Sequence, residues 1–89
     1  MRVLLVHLGN PDHADLVLSN PGPWREVRQI APGLLLLEPE ESLSRVFHEI
    51  KWLLPGGSTL LVAPLAHRPK VRGLAPGTVS WLRARLPLP

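Results

Sequence analysis

Five cations and one indole crowd the end of the chain: Arg68, Lys70, Arg72, Arg83 and Arg85, with Trp81 among them. Guanidinium forks match phosphate oxygens, and an indole can stack on an unpaired base. These six residues form the candidate nucleic-acid-binding set, although no recognition motif accompanies them. The bland alternative is a solvated basic tail with Trp81 folded onto the core. Charge is also unevenly placed along the chain. Residues 1–42 carry three basic and six acidic side chains, whereas residues 43–89 carry seven basic ones against Glu49 alone. An asymmetry of this kind points to a phosphate-bearing or acidic partner, or to complementary contact between subunits.

Other chemistry is harder to assemble. His7, Asp12, His13 and Asp15 are the nearest approach to a metal-ligand set, because imidazole and carboxylate both suit divalent ions. Their spacing matches no compact finger and no HExxH helix, so whether a metal binds near Asp12 and His13 is left open. His48 and Glu49 are adjacent on a helix, point about 100° apart and do not pair. Arg45–Glu49 and His48–Trp52, four apart, do share faces. Trp52 stands on an otherwise polar face, where an exposed indole usually marks a contact. There is no GxSxG, and every serine sits where a cap or turn explains it. Gly56-Gly57 is followed by no helix, so it cradles no phosphate. No cofactor fingerprint is present, and the expectation is a protein without cofactor or catalytic residues.

The elements that position these residues are organised around Pro32–Leu65. Leu34–Leu37 form a short apolar run closed by Glu38-Pro39. Leu43, Val46, Phe47, Ile50, Leu53 and Leu54 then mark one face of an amphipathic helix. Ser42 can cap it, and Pro55-Gly56-Gly57 ends it. Thr59–Leu65 follow as a second apolar strand. Before this unit, Arg2–Leu8 is a strand candidate stopped by Gly9-Asn10-Pro11. Residues 12–20 read as a short helix capped by Asp12, with a strand as the alternative. Trp24–Ile30 read as two helical turns or as a strand joined to Leu34–Leu37 by a tight Ala31-Pro32-Gly33 turn. After it, Thr78 can cap a last short helix in which Val79, Leu82 and Leu86 share a face, and Leu86–Pro89 should fray.

Eighty-nine residues leave room for one domain, 1–89, with a limited core. Hydrophobic content is 45% and charged content 19%, with no cysteine, so disulfides and thiolate metal sites are ruled out. Pro, Gly or charge interrupts every apolar run well short of the ~18 residues of a membrane span, and a cytoplasmic protein is expected.

The order strand, short helix, hairpin, longer helix, and a last strand ending in LLVAPL is βαββαβ. With Trp24 in the strand before the hairpin turn, it resembles the small ferredoxin-like proteins of the CRISPR spacer-acquisition nuclease family. It is closer to that family's non-CRISPR relatives, in which a short helix follows the last strand, here within VRGLAPGTVSWLRARL. The resemblance implies an α+β, ferredoxin-like sandwich with a short C-terminal helix, and it favours a strand for residues 24–30. It also implies an Asp at the end of the first strand that helps to hold a metal ion. Here that end reads His7-Leu8-Gly9, and Asp12 lies beyond a turn.

Independently of any family, the apolar strands want cover on both faces, and two packing helices cover only one. A two-fold homodimer is the simplest cover for the other. The reading is therefore a small, non-catalytic, dimeric binding protein whose partner is nucleic acid or another protein. The alternatives are a divergent metal-dependent nuclease using Asp12 or Asp15, and a structural subunit of an assembly.

Overall fold

A computed structural model describes residues 2–89. Four strands, β1 (Val3–Leu8), β2 (Trp24–Ala31), β3 (Leu34–Pro39) and β4 (Leu60–Leu65), form one antiparallel sheet in the order β2-β3-β1-β4. Three helices, α1 (Ala14–Leu18), α2 (Leu43–Leu53) and α3 (Thr78–Arg83), complete a mixed α+β fold.

The Leu34–Leu37 run is apolar at every position because both sheet faces are buried. Leu35 and Leu37 join Leu4, Val6 and Leu8 on the first face, beneath Ala14 and Val17 of α1 and Val46 and Ile50 of α2. Leu36 joins Val3 and Ile30 on the second face. Successive side chains of a strand point to opposite faces, so a continuous leucine run serves two cores.

Ser42 caps α2 as the sequence suggests, accepting a hydrogen bond from the Arg45 backbone N–H at 3.2 Å. The helix stops before Pro55, leaving Leu54 extended. Trp24–Ala31 is the strand of a hairpin. At its turn Gly33 takes φ +73°, and a Cβ there would lie 2.8 Å from the Leu8 carbonyl oxygen. That close approach lets the Leu8 N–H donate to the Gly33 carbonyl at 2.7 Å, joining the turn to the end of β1.

Several local expectations are corrected. Asn10, not Asp12, caps the first helical turn, its side-chain oxygen accepting from the Asp12 N–H at 3.0 Å. Residues 11–13 form a single 3₁₀ turn before α1. Gly77, at φ +88°, precedes α3, while the Thr78 hydroxyl donates to the Ala75 carbonyl at 2.6 Å instead of capping the helix. The buried face of α3 carries Thr78, Trp81 and Leu82, and Val79 is 53% exposed. Leu86 does not fray. It is buried, and the Arg68 backbone N–H and Nε donate to the Pro87 and Leu86 carbonyls at 2.9 and 2.6 Å.

The largest correction concerns the second sheet face. Residues 66–87 fold back across it and bury Trp81, Leu82 and Leu86 against Val3, Ile30 and Leu36, with Val71 and Leu74 packed at the margin. A chain that covers its own sheet removes the bare face on which the homodimer argument rested. No helix among the described residues is long and apolar enough to cross a membrane.

Candidate nucleic-acid interface

The covering segment carries all six candidate residues, and its anchoring decides which of them are available. It leaves β4 at Leu65, crosses the sheet, and reaches β2, where the Ala75 N–H donates to the Ile30 carbonyl at 2.8 Å. Arg28 of β2 holds the same loop, donating to the Pro76 carbonyl at 3.2 Å. Helix α3 then lies over the β2–β3 ladder, and the chain returns to Arg68. The segment is thus a loop closed on itself and pinned at both strand edges.

Arg85 is the principal pin. Its Nε donates to Glu38 at 2.7 Å and its Nη2 to Glu26 at 2.5 Å. Nη1 donates to the Trp81 carbonyl at 3.1 Å, and the guanidinium lies 3.9 Å above the Trp81 ring. Glu26 and Glu38 are cross-strand neighbours on β2 and β3, so one planar fork reaches both carboxylates. Glu38 is 6% exposed, and Arg25 approaches its other oxygen at 3.8 Å. No buried side-chain polar atom among the described residues lacks a partner.

Trp81 is 6% exposed, with its indole N–H directed at Glu26 at 3.4 Å. Its faces are occupied by the core and by Arg85, so it offers no surface to a base. Arg85 and Trp81 therefore leave the candidate set: both fasten the segment to the sheet. Lys70, Arg72 and Arg83 are exposed, and Arg68 is partly so. Among the described residues none of these four has a carboxylate within ion-pair distance, because the acids on this side, Glu26 and Glu38, are engaged by Arg85 and Arg25. The positive charge of these four is thus uncompensated among the described residues. No family model, curated protein or solved structure matches this chain.

The metal candidates do not converge. Among the described residues, no three His, Cys, Asp or Glu side chains stand close enough to hold an ion. His7 is exposed in β1 between Val6 and Leu8, which face the first core, and so points to the second face. Asp12, His13 and Asp15 belong to the 3₁₀ turn and α1, against the first. On α2, Glu49 pairs with Arg45 at 3.3 Å, while the His48 ring stands 6.2 Å from Trp52 and 5.7 Å from Phe47. The Arg85–Glu26–Glu38 clamp had one signal in the sequence, two acids in strands before a wholly basic tail. Pairing across that distance needed the fold.

Proposed function

We propose that this chain is a non-catalytic binding protein that holds the phosphates of a nucleic acid on Arg68, Lys70, Arg72 and Arg83. One observation carries the reading: these four cations have no carboxylate partner, while the carboxylates beside them are already taken. The βαββαβ element order with strand order β2-β3-β1-β4 supports a ferredoxin-like fold with an added C-terminal cover, and thereby the distant kinship noted above. The partner would be met in the cytoplasm. A second copy would double the basic surface. Its meeting place would be the open edge of β4, near the half-exposed Leu61, and not the broad face that the chain now fills.

Salt dependence tests this. Neutralising four phosphates gives a log–log slope of about −3.6 on a duplex and about −2.8 on a single strand. Arg72→Ala should reduce the slope by about one unit and weaken all sequences alike. Arg72 suits this test better than Arg68, whose side chain also closes the loop. No measurable binding at low salt would refute the reading.

The nuclease alternative finds less support, since its acids are not gathered with other ligands. Incubation with Mg²⁺ or Mn²⁺ should leave RNA and DNA intact. Metal-dependent cleavage abolished by Asp12→Ala would restore it.

A further inference from the structure

A second site lies away from the basic segment, against the first sheet face. The last turn of α2, residues 54–58 and the start of β4 enclose a pocket of about 490 Å³. That volume is in the range of small-molecule sites, which are mostly apolar with a few placed polar groups. Phe47, Trp52, Leu54 and Leu60 supply apolar wall. Trp52 is 71% exposed, its ring tilted 36° to that of His48 at 6.2 Å between centroids.

The polar groups are few, and their state is known. The Ser58 hydroxyl is committed to the Pro55 carbonyl at 2.6 Å. Lys51 is the one charged side chain in the wall, and among the described residues it has no carboxylate partner. Glu49, the acid nearest it in sequence, is held by Arg45. The C-terminal end of α2 opposes an anion with about half a negative charge, less than the full positive charge of Lys51. The pocket is therefore apolar with a net positive rim. A neutral hydrocarbon would leave Lys51 unused, and a cation would be repelled by it.

We propose that this pocket binds a small amphipathic anion, an aliphatic or aromatic carboxylate whose apolar body lies on Phe47, Trp52 and Leu60 and whose carboxylate meets the Lys51 ammonium. Gly56 also lines the pocket, and an added Cβ there would meet nothing within 4 Å. A side chain can thus be placed there without disturbing the fold.

Octanoate and octanol are the test pair, alike in apolar body and different in charge. Binding is read from the indole N–H signal of Trp52, assigned by its loss in Trp52→Phe, and from the blue shift of exposed tryptophan emission. Octanoate should shift the Trp52 signal and bind more tightly than octanol. Lys51→Met should weaken octanoate about tenfold, the scale of one charge-assisted hydrogen bond, and leave octanol unchanged. Gly56→Leu should weaken both ligands while the other two indole signals stay in place. Equal affinity for the two ligands, indifference of octanoate to Lys51→Met, or no response of Trp52 at millimolar ligand would each overturn the proposal. None of these outcomes bears on the phosphate-binding reading, whose residues lie on the other face.

Discussion

Arg85 ties the covering segment to β2 and β3, and its partners are unequal. Glu38 is buried and Glu26 about half exposed, so the two ion pairs sit in different dielectric surroundings. Arg85→Ala should destabilise the fold by about 3 kcal/mol or more, since it leaves a carboxylate buried with only a distant arginine. Glu26→Gln should cost under about 1 kcal/mol, as exposed pairs do. Urea unfolding of both variants checks the ranking. Trp81→Ala should also cost about 3–5 kcal/mol, as large buried aromatics do, and should leave the ratio of single-strand to duplex binding unchanged. The basic cluster itself was visible in the sequence, and four of its cations are free to act. The roles of Arg85 and Trp81 were not visible, because a guanidinium that binds phosphate and one that binds two carboxylates have the same local sequence. Only the approach of residues 47 and 59 positions apart tells them apart.

Among the elements, β1, β3, β4 and α2 were legible because their signals are local: apolar runs, a 3.6-residue period, a serine cap, and proline and glycine stops. β2 was not, since Trp24, Val27 and Ile30 suit a helix as well as a strand and only the family resemblance favoured the hairpin, whose turn is exacting at one position. Gly33→Ala should destabilise by about 1–3 kcal/mol, since the left-handed conformation and the Leu8 carbonyl both oppose a Cβ. Thermal unfolding measures it. The face of α3 was misread, because a six-residue helix between prolines offers too few turns for a period to choose Val79 or Trp81. The sheet edges also show design that composition alone conceals. β2 carries two register shifts and a run of charged residues, and Pro64 takes one N–H from β4. The shifts and charges of β2 discourage strand addition there, and Pro64 leaves β4 an edge along which a second copy could pair over only part of its length.

For the molecule as a whole, continuous apolar strands meant two covered faces, and that inference was sound. What covers the second face was not decidable from periodicity, because a partner and the chain's own tail bury the same leucines. Leu35 and Leu36 are both fully enclosed within one chain, on opposite faces. Leu36→Lys should therefore unfold the protein, not yield a folded monomer from a dimer, because a buried unpaired charge has no solvent to recover. Circular dichroism alongside sedimentation separates the two outcomes. Sedimentation of the unmodified chain at micromolar concentration settles its mass: 9.8 kDa if self-covering suffices, twice that if the β4 edge pairs.

The closed loop of residues 68–87 has a kinetic consequence. Its contacts to β2 and β3 join positions 47 to 59 apart, as distant as the β1–β4 pairing, but they add a cover to a sheet whose four strands all lie within residues 3–65. A cover that packs on a sheet forms its contacts once the strands beneath it have paired, which places them late in folding. Substitutions at Arg85 should then leave the folding rate nearly unchanged and accelerate unfolding by almost the full loss in stability. Until Arg85 docks, the paired strands hold one apolar side open, an interval in which a holdase chaperone would find its substrate.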